Sequence, residues 1–110
     1  MLRKANWKDR LLYAIGKRRA FHVQGSSMSP TFKDGDVVMI VRQRSFAPGD
    51  IVLAQHPYKQ SVKVLKRVTA IDENGRYSLA GDNPDESTDS RTFGTVSLDQ
   101  IRGKVICRLK

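Results

Sequence analysis

Short apolar runs separated by turns limit this chain to a mainly β fold. The runs at 37–41 and 51–54 each follow a Gly-Asp pair, and an Asn-Gly pair at 74–75 is typical of a hairpin turn. Apolar runs of this length, bounded by turn residues, indicate buried strands rather than helices. A chain of 110 residues has room for one domain. We therefore expect a single compact β-sheet domain, coiled or barrel-like, over residues 20–110.

The segment from Val62 to Ile71 alternates in a way that singles out one lysine. Lys66 falls on the same strand face as Val64 and Val68. Lysine is rarely buried without a reason, and burial lowers its pKa because the charged form loses its hydration. Such a lysine can serve as a general base near neutral pH. The alternation leaves a second interpretation open, in which Lys66 lies near a strand end and extends its amine into solvent.

A small, hydroxyl-rich turn at 25–32 supplies a candidate nucleophile. Gly25 can adopt backbone angles that are closed to other residues, and Pro30 fixes the backbone. Met28 would anchor the turn in the core, so that a neighbouring serine hydroxyl is held in a defined direction. Seen alone, a Ser/Pro run of this kind more often simply joins two elements.

Together, the turn and Lys66 suggest a serine–lysine dyad. A serine hydroxyl is a weak nucleophile that needs a base within hydrogen-bond reach. A neutral lysine can take the serine proton and later deliver it to the leaving amine. His22 and His56 are the two histidines of the chain, and neither has a sequence context that favours a Ser-His-Asp triad.

Four parts of the sequence resemble the signal peptidase I family of serine–lysine proteases. They follow the order of the family's sequence boxes and span 25–31, 35–38, 49–52 with 66–68, and 81–94. The resemblance covers nearly all of the chain after residue 20 and implies the signal-peptidase catalytic fold for that part. It identifies Ser27, directly before Met28, as the nucleophile and Lys66 as the general base.

The resemblance also implies supporting roles. Ser87 would hydrogen-bond the Lys66 amine and direct it toward Ser27. The Ser27 backbone N–H would donate to the oxyanion. Family members often add a serine hydroxyl two residues before the nucleophile; Gly25 stands there in this chain, which leaves another N–H or the Ser26 side chain as the second donor. Structural support is expected from Met28, Asp82, Asp89 and Arg91.

Within that family, the compact chain and the run from Gly81 to Arg91 look most like the small nickel-type superoxide dismutase maturation proteases. Those proteases remove an N-terminal leader from the dismutase precursor. The resemblance implies a serine endopeptidase whose partner is a precursor protein with an N-terminal leader, and nickel superoxide dismutase is the expected precursor. The nickel would belong to the substrate, and neither a cofactor nor a metal site is expected in this chain.

Residues 1–19 predict a basic amphipathic helix that precedes the catalytic domain. Trp7, Leu11, Ala14 and Ile15 recur at helical spacing, and basic residues occupy most of the remainder. Such a helix can make a peripheral contact with a membrane surface, or it can cover one edge of the sheet while its charges face water. We favour the second arrangement, because a solvated basic face is the usual outcome.

Composition bounds the partners and the compartment. The formal net charge of +9 permits attraction to nucleic acid, anionic membranes or acidic proteins. Nucleic acid is not expected, because aromatic residues make up only 7% of the chain and no stacking motif is present. Cys107 is the single cysteine, and no apolar run is long enough for a transmembrane helix or a secretory signal. We therefore expect a cytoplasmic protein.

Two other functions stay open at this point. A self-cleaving or regulatory protease domain would use the same dyad, and Ala80-Gly81 is a small-residue bond that lies inside the loop needed for catalysis. A basic module without catalysis would bind a membrane surface or nucleic acid through its charge.

Overall fold

The apolar runs of the sequence form strands of one antiparallel sheet. The computed structural model describes residues 3–16, 18–56, 59, 62–83 and 94–109. Its elements in chain order are α1 (Trp7–Ala14), β1 (Arg19–His22), β2 (Val37–Val41), β3 (Ile51–Gln55), β4 (Lys63–Ile71), β5 (Tyr77–Ala80) and β6 (Ile101–Arg108). In space the strands follow the order β1-β2-β6-β3-β4-β5, and each neighbouring pair is antiparallel. The predicted mainly β fold is confirmed.

Both faces of the sheet carry buried apolar side chains. In β3, Ile51 and Leu53 belong to one core cluster, whereas the alternate residues of the strand belong to a second. Burial on both faces explains why the sequence of β3 is a continuous apolar run. The first cluster also contains Met28 and Phe32 from the segment between β1 and β2. The core therefore directly supports the turn that carries the candidate nucleophile.

Helix α1 is shorter than the predicted 1–19, because the residues before it are extended. The Ala5 N–H donates to the Arg108 carbonyl at 2.7 Å and so continues the end of β6. A capping box then begins the helix: Asn6 Oδ1 accepts from the Asp9 N–H at 3.0 Å, and the Asn6 N–H donates to the Asp9 carboxylate at 2.9 Å. The helix ends at Ala14.

The side of α1 that packs on the domain is ionic rather than apolar. Asp9 is 2% exposed, and both Arg3 and Arg18 donate to its carboxylate. The hydrogen bonds from Arg3 hold the pKa of Asp9 well below its usual range. Trp7 and Ile15, in contrast, are 70% and 59% exposed. The expectation that the apolar face covers a sheet edge is therefore wrong, because a buried carboxylate between two arginines anchors the helix instead.

Candidate active site

The turn that carries Ser27 is fastened to the core on its C-terminal side. Met28 and Phe32 are each 1% exposed, and the Phe32 N–H donates to the Met28 carbonyl at 2.9 Å. On the other side, Gly25 has a φ of +77°, a conformation that glycine adopts without steric cost. Ser27 itself is half-buried. The turn thus holds one serine between a buried anchor and a glycine bend.

Lys66 lies within β4 and is buried. It is 3% exposed, and its partner across the sheet is Val52 of β3, which has no exposed surface. Among the residues that the structure describes, Lys66 and Asp9 are the two buried charged residues. The interpretation in which the Lys66 amine extends into solvent from a strand end does not agree with this burial.

Ser27 and Lys66 line the same cavity. Its volume is about 150 Å³, and it opens between the Ser27 turn and the first half of β4. The remaining lining residues are mostly apolar and comprise Phe21, Val23, Gln24, Met28, Lys63, Val64 and Leu65. The chain therefore brings a serine and a buried lysine to one small pocket, although Lys66 follows Ser27 by 39 positions in the sequence.

Asp82 joins the two segments that carry these residues. Its carboxylate accepts hydrogen bonds from Arg67 Nε at 2.9 Å and from Arg67 Nη2 at 2.8 Å. It also accepts one from the Thr31 hydroxyl. Thr31 belongs to the turn of Ser27, and Arg67 directly follows Lys66. One carboxylate therefore links the nucleophile turn to the strand of the candidate base.

The ion pair between Arg67 and Asp82 stabilises the charged form of each side chain. Hydrogen bonds from Arg67, with a smaller contribution from Thr31, lower the pKa of Asp82, and the carboxylate raises the pKa of Arg67. Arg67 Nη1 donates in addition to the Gly49 carbonyl at 2.9 Å. Sequence reasoning placed Arg67 in a family box but gave it no role. Strand alternation could not identify its partner, which lies 15 residues away.

Asn83 ties the segment after β5 to the same turn. Its N–H donates to the Ser27 carbonyl at 2.8 Å, and its Nδ2 donates to the Ser26 carbonyl at 3.1 Å. These bonds engage two consecutive carbonyls of the turn, those of Ser26 and Ser27. Asn83 was part of a matched box in the sequence, without a role of its own.

The structure separates the two candidates for a second oxyanion donor. The Gly25 N–H donates to Asp34 Oδ1 at 2.8 Å and is therefore engaged away from the cavity. Ser26 is exposed, and its hydroxyl stays a candidate. Ser87, Asp89 and Arg91 lie outside the described residues, so their roles stay predictions. No group of three or more His, Cys, Asp or Glu side chains that could hold a metal ion occurs in the described part of the chain.

Comparison with known proteins identifies the family. The profile described as Peptidase S24-like matches residues 3–106. The chain belongs to this family. The predicted relationship to signal-peptidase-type proteases is thereby confirmed at the family level, and the match extends over all the residues that form the cavity.

The relatives are known as mitochondrial membrane proteases. Mitochondrial inner membrane protease subunit 1 of Xenopus tropicalis is 33% identical over 108 residues, which cover 77% of this chain and 65% of the relative. The subunit 1 of Schizosaccharomyces pombe is 30% identical over 115 residues, covering 81% and 73%. Mitochondrial ATP-independent inner membrane protease subunit 1a of Arabidopsis thaliana is 31% identical over 114 residues, covering 80% and 68%. The chain thus spans about two-thirds of the length of these relatives.

These relatives correct one prediction and leave another without support. The expectation of a cytoplasmic protein is wrong, because the similar proteins are inner membrane proteases by name. The closer resemblance to nickel superoxide dismutase maturation proteases finds no support in them. Across the described residues, no helix is long and apolar enough to cross a membrane.

Proposed function

We propose that this chain is a serine endopeptidase in which Ser27 is the nucleophile and Lys66 is the general base. The observation that carries the proposal is the shared cavity of about 150 Å³, which Ser27 and the buried Lys66 line together. Membership of a peptidase family supports the same chemistry. The ties that Asp82 and Asn83 make to the turn of Ser27 support a fixed geometry between the two residues.

The proposed reaction proceeds by acyl transfer. Burial favours the uncharged amine of Lys66, which takes the proton of the Ser27 hydroxyl as Oγ bonds to the carbonyl carbon of the substrate. The Ser27 N–H donates to the oxyanion of the tetrahedral intermediate. The Lys66 ammonium returns its proton to the leaving amine, and an ester on Ser27 results. Water, activated by the same amine, then hydrolyses this ester and restores the enzyme.

The substrate we propose is a precursor protein with an N-terminal leader. A peptide in extended conformation would run beside residues 63–66 of β4, because the pairing of β4 with β5 begins only at Arg67. A cavity of about 150 Å³ suits a small side chain next to the scissile bond. The names of the relatives, inner membrane proteases, favour a substrate that is cleaved at a membrane. A nickel superoxide dismutase precursor is a more specific candidate, carried only by the resemblance in sequence, and we include it as one arm of the test.

Cleavage assays on the purified chain test the dyad. Intact-mass analysis would follow a set of extended peptides with small residues before the scissile bond, and separately the nickel superoxide dismutase precursor. Ser27→Ala and Lys66→Met should each lower kcat/KM by at least about 10³-fold while circular dichroism and Tm show a folded protein. Ser45→Ala and Lys33→Ala change the same residue types at exposed positions outside the cavity and should leave cleavage unchanged.

Several outcomes would decide against parts of this proposal. Full cleavage by Lys66→Met would rule out the dyad. Cleavage of the peptides but not of the dismutase precursor would keep the endopeptidase and remove that substrate. A loss of mass from the enzyme itself, present in the wild type and absent in Ser27→Ala, would favour the self-cleaving alternative.

A further inference from the structure

Helix α1 turns an apolar stripe toward solvent. Trp7 and Leu11 of the helix and Ile15 at its C-cap recur every fourth position, and they are 70%, 53% and 59% exposed. Residues at this spacing lie on one side of a helix. Large exposed apolar side chains that form a contiguous stripe mark a surface that another phase or molecule covers.

The anchoring of α1 explains why the stripe cannot simply turn inward. Asp9 lies about half a turn around the helix from Leu11 and Trp7, since each residue advances the helix by roughly 100°. Asp9 is buried and receives hydrogen bonds from Arg3 and Arg18. Rotation that buried Trp7 would expose this carboxylate and break both ion pairs. The outward direction of the stripe is therefore part of the folded structure.

Basic residues surround the stripe. Lys8 and Arg10 are exposed on its two sides, and the Lys8 amine lies 5.7 Å from the ring centre of Trp7. The single acidic residue of the helix, Asp9, is already paired. Just after the helix, a cavity of about 330 Å³ is lined by Gly16 and by four arginines, with no acidic side chain among its lining residues: Arg18, Arg19, Arg42 and Arg102.

We propose that α1 is an interfacial anchor that docks this protein on an anionic lipid bilayer. Trp7, Leu11 and Ile15 enter the headgroup region with the helix lying in the plane of the surface. Lys8 and Arg10 attract the lipid phosphates, together with the arginines that line the cavity next to the C-terminal end of α1 apart from Arg18, which pairs with Asp9. Apolar insertion and basic attraction together give reversible binding to anionic membranes, because each basic residue near such a surface adds to the affinity. This docking does not depend on the dyad.

Trp7 makes the proposal directly measurable, since it is the single tryptophan of the chain. Vesicles of equimolar phosphatidylcholine and phosphatidylglycerol should shift its fluorescence to shorter wavelength, and brominated lipids should quench it. Vesicles of phosphatidylcholine alone should bind at least about tenfold more weakly. Leu11→Glu and the double variant Lys8→Glu/Arg10→Glu should each weaken binding to the anionic vesicles by about tenfold or more. High salt should weaken binding of the wild type.

Matched variants separate this proposal from others. Ile71→Glu changes an apolar residue of β4 that is 40% exposed and should bind vesicles as the wild type does. Ser27→Ala should also bind normally, and Leu11→Glu should cleave a short soluble peptide at the wild-type rate, so docking and catalysis fail independently. Unchanged Trp7 emission with anionic vesicles, or full binding by Leu11→Glu, would overturn the proposal. A shift that depends on protein concentration without vesicles would overturn it in favour of a second copy of the chain.

Discussion

Arg67 and Asp82 form a two-pronged ion pair beside the cavity, with N–O distances of 2.9 and 2.8 Å. Paired parallel hydrogen bonds of this kind fix orientation as well as distance. Because Arg67 follows Lys66 and Asp82 also accepts from Thr31, the pair sets how β4 lies against the turn of Ser27. Neither residue lines the cavity. The geometry of the proposed dyad therefore depends on contacts made outside the cavity.

The first prediction concerns this ion pair. Asp82→Asn keeps the shape of the side chain but removes its charge, so we expect kcat to fall by about tenfold and the free energy of unfolding to fall by about 1–2 kcal/mol. KM should change little, because Asp82 does not line the cavity in which we place the substrate. Arg67→Lys retains the positive charge but cannot make two parallel hydrogen bonds to the carboxylate. It should therefore lower kcat and the free energy of unfolding by less than Asp82→Asn does. Urea unfolding measures the stability of each variant, and steady-state kinetics measure its kcat. An unchanged kcat in Asp82→Asn would show that the ion pair between Arg67 and Asp82 does not position Lys66.

The second prediction concerns the tether from Asn83. Asn83→Ala removes the bond from Nδ2 to the Ser26 carbonyl and leaves the backbone bond to Ser27 in place. We expect kcat to fall several-fold with a stability loss of about 1 kcal/mol or less. Gln43→Ala is the matched control, because its amide donates to the Ser45 carbonyl at 3.2 Å on an exposed segment away from the cavity. Equal kinetics in the two variants would contradict a role for the tether.

The third prediction is a dependence of stability on acid. The pKa of Asp9 is lower in the folded protein than its ordinary value of 3.8, because Arg3 and the Asn6 backbone hydrogen-bond the carboxylate. The stability from this group is therefore complete above that ordinary value and is lost as the pH falls through the lower folded value. Asp9→Asn should be less stable than the wild type at neutral pH, and the difference in Tm should narrow below about pH 4. A constant difference across this range would contradict the assignment.

The sequence predicted the strands and the two members of the proposed dyad, but not how the helix is held. Apolar runs bounded by Gly-Asp turns indicate buried strands almost directly, and β2 and β3 follow from them. Helical spacing identified the apolar stripe of Trp7 and Leu11, but not whether the stripe faces the sheet or the solvent. The stripe faces outward because Asp9 is buried and pairs with Arg3 and Arg18. In a segment with many basic residues, the sequence does not show which of them pairs with the single aspartate. The compartment was predicted wrongly from the lack of a long apolar run, a feature that does not distinguish a cytoplasmic protein from one that docks on a membrane.

The last prediction tests the close approach of the central strands. A Cβ at Gly103 of β6 would lie 2.4 Å from Cγ2 of Ile40 and 2.8 Å from the Val41 carbonyl oxygen of β2. The carbonyl cannot move without disturbing the β2–β6 pairing, so Gly103→Ala should lower the free energy of unfolding by about 2–3 kcal/mol. Gly75→Ala is the contrasting variant: nothing lies within 4 Å of its Cβ, and its φ of +76° should cost about 1 kcal/mol through backbone strain alone.

Activity distinguishes the two glycine variants further. Ile40 belongs to the same core cluster as Met28, which anchors the turn of Ser27, so a displaced Ile40 should lower kcat in Gly103→Ala even where the protein remains folded. Gly75 lies in the hairpin between β4 and β5, and its variant should lose stability without losing kcat. Urea midpoints and kcat measured on the folded fraction test both statements. Equal stability losses in the two variants would mean that β2 and β6 separate at little cost, and the close approach at Gly103 would then not constrain the cavity.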